Sequence, residues 1–132
     1  MNYLLDTNVC SAFVKRPSSL FHKFVQHSGR LATTTIVLGE LSAWAYRRPH
    51  PETLLEPINN ELLSEVALLD FDRRCADRFG RLRAELLSQG LGGNPVDLMI
   101  ASVALEHDLT LVTNNVRHFE PIRGLRVEDW LA

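Results

Sequence analysis

The segment Tyr3-Leu4-Leu5-Asp6-Thr7-Asn8, close to the start of the chain, gives the first indication of the architecture. Its apolar residues predict a short buried strand over 3–5, and the polar residues after it introduce a predicted helix over 8–14. The same order, a short apolar segment followed by a helical pattern, recurs along the rest of the chain. This alternation predicts an α/β domain with a mainly parallel sheet.

Caps, helix breakers and hydrophobic periodicity predict the remaining elements. Further strands are predicted at 31–34, 66–71, 110–113 and 125–127, and further helices at 18–28, 35–47, 52–63, 72–90 and 94–106. Pro57 is expected to break the helix in which it stands. Binding sites in parallel sheets form beyond the carboxyl ends of the strands, and Asp6 and Asn115 lie just past two predicted strands.

Length, charge and cysteine usage limit the possible classes of protein. The 132 residues predict a single domain over 1–132, and the formal net charge of −2 excludes a polycation that coats nucleic acid through charge alone. Cys10 and Cys75 have no CxxC spacing, which indicates buried free thiols. No signal-peptide pattern is present, nor an apolar run of the roughly 18 residues that a membrane span requires. We therefore expect a cytoplasmic protein without a membrane partner.

Glu40 is an acidic residue in an otherwise apolar segment, Ile36-Val37-Leu38-Gly39-Glu40-Leu41-Ser42-Ala43-Trp44-Ala45. A helix this apolar is predicted to be buried, and an isolated buried carboxylate requires a cation, a metal ion or a proton. The segment alone leaves two interpretations open, a metal ligand or an ion pair with an arginine.

Asp97 and Asp6 each have a structural and a functional interpretation as well. Asp97 is either a first-turn residue favoured by the helix dipole or a ligand, and Asp6 is either a helix cap or a carboxylate held at the sheet edge. One hypothesis accounts for Asp6, Glu40 and Asp97 together. Carboxylates gathered in one pocket repel each other, and a hard divalent cation such as Mg²⁺ or Mn²⁺ relieves that repulsion.

Five motifs, in order along the chain, carry a resemblance to the PIN-domain ribonucleases. They are Leu4-Leu5-Asp6-Thr7-Asn8, Gly39-Glu40-Leu41, Pro95-Val96-Asp97-Leu98-Met99-Ile100-Ala101, Leu111-Val112-Thr113-Asn114-Asn115 and Phe119. The closing segment Gly124-Leu125-Arg126-Val127-Glu128-Asp129-Trp130 is similar to the tail of the VapC-type toxins within that family. The resemblance covers essentially the whole chain. It implies a three-layer PIN-like domain and an Mg²⁺- or Mn²⁺-dependent endoribonuclease that acts as the toxin of a toxin–antitoxin pair.

The resemblance also implies roles for individual residues. Asp6, Glu40 and Asp97 match the family's catalytic metal ligands, whereas Asn115 matches a fourth position at which many members carry Asp. That departure removes one negative charge and weakens the case for a second metal ion. Four further residues are expected to orient the ligands, with turn and capping duty as the alternative: Thr7, Asn8, Thr113 and Asn114.

The partners implied by the resemblance are an RNA substrate, a small antitoxin that blocks the site, and a second copy of the chain in a homodimer. The apolar helices around Trp44 and Leu54-Leu55 are expected to flank a groove for an amphipathic segment of the antitoxin. The alternative function is a catalytically weak PIN-like module that binds RNA or protein, which Asn115 and the near-neutral charge leave open. A phosphatase with Asp6 as nucleophile is disfavoured, because Asn8 stands where such enzymes need a second Asp.

Several other features are interpreted as structural rather than functional. The histidines show no ligand spacing and are assigned to the surface: His22, His27, His50, His107 and His118. The arginines over 73–81 are interpreted as a solvated helix face, with RNA contact as the alternative. Trp44 and Trp130 are interpreted as packing residues, with base stacking as the alternative.

Overall fold

A five-stranded sheet forms the centre of the molecule, which a computed structural model describes for residues 1–131. The strands are β1 (Tyr3–Leu5), β2 (Leu31–Thr34), β3 (Ala67–Leu69), β4 (Thr110–Val112) and β5 (Val127–Glu128). Their spatial order is β3-β2-β1-β4-β5, and all four pairings are parallel. The predicted α/β class is confirmed, and the sheet is wholly rather than mainly parallel.

Helices make the connections between successive parallel strands. They are α1 (Thr7–Lys15), α2 (Phe21–Gln26), α3 (Thr35–Tyr46), α4 (Glu52–Pro57), α5 (Leu63–Glu65), α6 (Arg73–Ser88), α7 (Pro95–Glu106) and α8 (Val116–Phe119). From β1 the chain moves outward to β2 and β3, then returns to β4 on the other side of β1 and continues to β5. Since such crossovers are right-handed, this reversal puts helices on both faces of the sheet and gives three layers.

The reversal of strand order also fixes where a site can form. β1 and β4 are adjacent central strands, paired at Leu5 and Val112. The residues that follow this pair, Asp6 and Thr113, therefore leave the sheet side by side at its carboxyl edge. In open α/β sheets this switch point is where ligands bind.

The core includes residues from every layer, and β1, β4 and α7 are among its most deeply buried elements. Leu4, Leu5 and Leu111 are fully buried, and α7 contributes Ile100 and Val103 from a helix that is buried over most of its surface. Both cysteines are buried and free, as predicted. No helix among the described residues has the length and apolar character needed to cross a membrane.

The α-helix ends at Pro57, as predicted, but the chain stays helical beyond it. The backbone angles of Pro57, φ −66° and ψ −30°, are helical, and the chain continues from α4 through a π-helical turn over Ile58–Leu62 into α5. Proline removes a backbone donor but keeps a helical φ, so buried side chains can hold the helix together. Ile58 and Leu62 are both fully buried. Proline thus ends the α-helical hydrogen bonding, and packing of these side chains keeps the following turn helical.

Other differences lie at element ends. The predicted helix over 18–28 is a 3₁₀ turn over Pro17–Ser19 followed by α2, because the Ser19 hydroxyl donates back to the Arg16 carbonyl rather than capping a helix. The last strand lies at Val127–Glu128 instead of 125–127. The short helix α8 was not predicted. It proves important, because it carries a side chain into the candidate site.

Candidate metal-binding active site

Asp6 lies at the carboxyl end of β1 and caps α1. Its side chain is 4% exposed, its Oδ1 accepts from the Thr7 backbone N–H at 2.7 Å, and its Oδ2 accepts from the Thr113 hydroxyl at 2.8 Å. The Asp6 backbone N–H donates to the Val112 carbonyl at 2.9 Å. The backbone and the side chain of Asp6 are therefore both held by residues at the end of β4. Both interpretations of Asp6 therefore hold together, since it is a helix cap and a rigid carboxylate at the sheet edge.

Burial raises the pKa of the Asp6 carboxyl above its ordinary value, because a charge deprived of water is disfavoured. The hydrogen bonds from Thr113 and Thr7 act in the opposite direction by stabilising the ionised form. The negative charges of Asp97 and Glu40 raise the pKa further. Two carboxylates far apart in sequence therefore lie close enough to Asp6 for their charges to influence it.

Three neighbours hold the Thr113 hydroxyl in place. It accepts from the Asn8 side-chain amide at 3.2 Å and from the Asn115 backbone N–H at 3.0 Å while it donates to Asp6. The Asn8 carbonyl oxygen in turn accepts from the Asn114 backbone N–H at 3.3 Å. Residues from the turns after β1 and β4 thus support Asp6 as one network. Asn115 is joined to this network by its backbone.

Glu40 is exposed, and the prediction of a fully buried helix around it is wrong. Only Val37, Leu41 and Ala45 of α3 are buried, so this apolar helix packs along one face and exposes the other. The carboxylate accepts a hydrogen bond from the Thr7 hydroxyl. Within residues 1–131 it forms no ion pair with an arginine, which removes the structural alternative for this residue.

Asp97 lies in the first turn of α7 but does not cap it, since the Asn94 side chain accepts from the Val96 N–H instead. Its side chain is 21% exposed, and its Oδ2 lies 3.2 Å from Nδ1 of His118 on α8. A pocket of about 270 Å³ opens beside these two side chains, bounded by the glycine-containing loop that precedes α7 and by the buried side chain of Ile122.

His118 is exposed, as predicted, but its contact with Asp97 was not predicted from the sequence. His118 stands three residues after Asn115. Had the short helix α8 been predicted, this spacing would have placed both residues on one helix face. The structure thus brings His118 against Asp97, an interaction that no spacing of histidines could have revealed.

The donor set fits a hard divalent cation. All three acids provide oxygen ligands, and no histidine or cysteine cluster suited to zinc accompanies them. No three His, Cys, Asp or Glu side chains of residues 1–131 stand close enough together to enclose an ion by themselves. A cation here would thus bind between carboxylates that the fold brings near each other. Water or substrate would complete the coordination shell of the ion.

Three of the five arginines of α6 form ion pairs among the described residues. Arg74 and Arg78 lie 3.2 and 3.0 Å from the Glu106 carboxylate, and Arg81 lies 3.0 Å from Asp77. This arrangement supports the structural interpretation of that helix face.

Trp130 is a packing residue, as interpreted from the sequence. It is 9% exposed, and its ring lies 5.2 Å from that of Tyr3 and 5.3 Å from that of His27, measured between centroids.

Comparison with known families gives one match, a PIN domain over residues 3–124. The chain is 38% identical over 131 residues to a Shigella flexneri protein named tRNA(fMet)-specific endonuclease VapC, and the alignment covers 98% of each chain. It is 36% identical to a ribonuclease VapC2 of Haemophilus influenzae, with 99% of each chain covered.

Solved structures agree with these sequence matches. DNA-bound VapBC from Salmonella typhimurium superposes with a TM-score of 0.92 at 37% identity, covering 98% of both chains. VapBC2 from Rickettsia felis, bound to a promoter DNA fragment, gives 0.90 at 34% identity, covering 98% of this chain and 99% of that one.

Proposed function

Because this chain belongs to the PIN-domain family and is a ribonuclease of the VapC type, we propose that Asp6, Glu40 and Asp97 form its metal-binding active site. We further propose that residues 1–132 act as one catalytic domain. The observation that carries the site is the Asp6 carboxyl, whose pKa is raised by burial and by the charges of Asp97 and Glu40. Such mutual repulsion is what a bound Mg²⁺ or Mn²⁺ relieves.

The ion, when bound, would supply a Lewis acid that activates water and stabilises charge on the phosphate. The chain's own residues prepare the site for it. Thr113 and the Thr7 N–H hold the two Asp6 oxygens in fixed directions, and the Thr7 hydroxyl holds Glu40. Asn8 and Asn114 support Thr113 in turn, as groups behind metal ligands usually do.

Asn115 is the fourth position of the proposed site. Its amide adds no charge, and its backbone rather than its side chain contacts Thr113. Three carboxylates and one amide favour a single tightly held ion over two, because each additional divalent ion needs negative charge to offset it.

RNA is the substrate, and tRNA is the class we propose, since relatives at 37–38% identity over nearly the whole chain are named tRNA(fMet)-specific endonucleases. The RNA target and the free thiols suit the reducing cytoplasm. The chain would act there as the toxin of a toxin–antitoxin pair.

A small antitoxin is the proposed protein partner, by analogy with the VapBC assemblies of Salmonella and Rickettsia. An arginine or lysine of such a partner would neutralise the acidic pocket, and an apolar segment beside it would pack on the half-buried Leu55. We also propose that the toxin itself forms a homodimer.

The test is to incubate the pure protein with initiator tRNA and with total RNA, adding Mg²⁺, Mn²⁺ or EDTA, and to map the new 5′ ends. Cleavage that needs the ion and is lost in Asp6→Asn supports the site. Asparagine keeps the helix cap and can still accept from Thr113, so the control separates chemistry from folding. Full cleavage in excess chelator would refute the mechanism, and RNA binding without cleavage in either ion would favour the non-cleaving module.

A further inference from the structure

Lys15, Trp44 and Arg48 form a cluster of two cations on one aromatic ring, called here the Trp44 cluster. The Lys15 ammonium lies 5.3 Å from the ring centroid, and the Arg48 guanidinium carbon lies 5.7 Å from it. These distances are within the range of cation–π attraction. The cluster lies at the C-terminal ends of α1 and α3, where the two helices touch.

A pocket of about 440 Å³ opens on this cluster, and Pro49, His50, Thr53 and Leu54 complete its lining. Its volume falls in the range of pockets that hold small organic ligands. The Trp44 side chain is partly exposed, whereas Lys15 and Arg48 are exposed. The ring and both cations are therefore accessible to a ligand.

Neither cation of the Trp44 cluster is neutralised by an acid. Across residues 1–131, Lys15 and Arg48 form no ion pair, in contrast to three of the α6 arginines. Exposed Arg16 and Arg47, adjacent in sequence, add positive charge at the same helix ends. In a chain of net charge −2, four exposed cations thus gather at these helix ends, with Glu52 beside the pocket residue His50 as a nearby acid.

Helices α1 and α3 both connect the cluster to the proposed active site, and their geometry gives the separation along each helix. α1 runs from Thr7, which contacts Glu40, to Lys15, which contacts Trp44. Eight residues of helix span about 12 Å. On α3, Glu40 and Trp44 are one turn apart, about 6 Å, and share one face. A continuous surface thus leads from the carboxylates to the cluster.

We propose that the Trp44 cluster binds the RNA strand a few nucleotides from the scissile phosphate, with Trp44 stacking on an unpaired base and Lys15 and Arg48 contacting phosphates. This inference rests on the proposed function and adds to it a substrate-contact site outside the carboxylates. Every base has a face that can stack on indole, and stacking requires the base to be unpaired. The two cations move from the ring to the phosphates when the base arrives.

The charge at this pocket favours RNA over a protein occupant. A basic antitoxin segment suited to the acidic site would be repelled by Lys15 and Arg48, whereas a polyanion would be attracted by both. The ring adds a flat apolar surface that a phosphate chain alone would not use.

The first experiment measures binding of a short fluorescein-labelled single-stranded RNA to the Asp6→Asn protein, which prevents cleavage. Adding Lys15→Glu and Arg48→Glu should weaken binding at least about tenfold and reduce the salt slope of log K by about 1.4, at roughly 0.7 per phosphate contact. The matched control adds Arg73→Glu and Arg81→Glu on α6, an equal change of charge, and should leave the slope unchanged. If the Glu variants do not fold, Lys15→Gln and Arg48→Gln provide the same comparison.

The second experiment reads Trp44 directly. In Trp130→Phe, Trp44 is the remaining tryptophan, and its fluorescence should be quenched by the single-stranded RNA but far less by the same sequence in a duplex. Trp44→Leu, made in the chain with Asp6 intact, should raise KM for cleavage about five- to 150-fold, the range for loss of one stacked base.

Three outcomes would overturn the inference. The first is an RNA affinity and salt slope equal to those of the α6 control, and the second is Trp44 fluorescence that RNA does not quench. The third is a pair of Glu variants that keep RNA affinity and lose only antitoxin binding, which would assign the pocket to the protein partner. If the chain with Asp6 intact cleaves no RNA while Trp44 is still quenched, the inference stands and the proposed catalysis fails.

Discussion

The carboxyl edge of the sheet and the exposed face of α6 both concentrate charged side chains. They differ in whether those side chains form ion pairs. At the sheet edge, Asp6 and Glu40 accept hydrogen bonds from threonines and have no cationic partner among the described residues. On α6, Arg74 and Arg78 share Glu106. Charge density alone therefore does not mark a site; at the sheet edge the acids have no arginine or lysine partner within residues 1–131, and Asp97 contacts His118 instead.

The largest expected difference between the two regions is catalytic. Asp6→Asn should reduce RNA cleavage roughly 10²- to 10⁴-fold, because it removes a carboxylate that holds the ion and the attacking water. Arg78→Ala on α6 should change kcat/KM less than about twofold, since surface charges there serve only local pairing. Single-turnover cleavage of initiator tRNA measures both. Comparable losses in the two variants would end the distinction between the regions.

A divalent ion should stabilise the sheet edge and leave α6 unaffected. Mg²⁺ at about 100 times its Kd should add about 2.7 kcal/mol to the free energy of unfolding, and Asp97→Asn should lose most of that gain. In EDTA the same variant should melt at an equal or higher temperature, because one of several repelling charges is gone.

The measurement is thermal melting with and without the ion, and Arg81→Ala is the matched control, which should keep the full gain. A large loss of stability in EDTA for Asp97→Asn would instead mean that Asp97 is a structural residue of α7.

Removing the counter-charge on α6 should have a smaller effect on stability. Glu106→Gln leaves Arg74 and Arg78 without their partner, yet both arginines are at least 43% exposed, so solvent screens the interaction. We expect a loss below about 1 kcal/mol in urea unfolding, and unchanged RNA cleavage. A loss of cleavage would show that α6 takes part in substrate binding after all.

The smallest expected signal comes from the thiols that lie beneath the two regions. Burial raises the pKa of Cys10 to about 12, and burial also raises that of Cys75. Neither thiol should react with Ellman's reagent at pH 8 in the folded protein, and both should react in denaturant. Because the folded state keeps these protons while the unfolded state loses them, stability should fall as pH rises above about 9. Fast labelling of native Cys10 would contradict its burial.

Much of the fold was predictable because its signals are local. Asp72 and Asn94 cap α6 and α7 at the predicted starts of these helices, and β1 and β2 occupy the predicted residues. Apolar alternation and caps act within a few residues, so they can be recognised without tertiary structure. Pro57 shows the limit, since its local signal predicts the end of the α-helix but not the buried π-helical turn that continues the chain.

The sequence by itself determined which side chains are available: three isolated acids, a strand followed by Asp6, and an order of motifs typical of one family. Only the tertiary structure decided what those side chains face. Strand order places Thr113 against Asp6 across 107 residues, packing of α3 on one face exposes Glu40, and α8 brings His118 to Asp97. The physical reason is that burial and electrostatic pairing depend on non-local contacts, which a one-dimensional pattern does not contain.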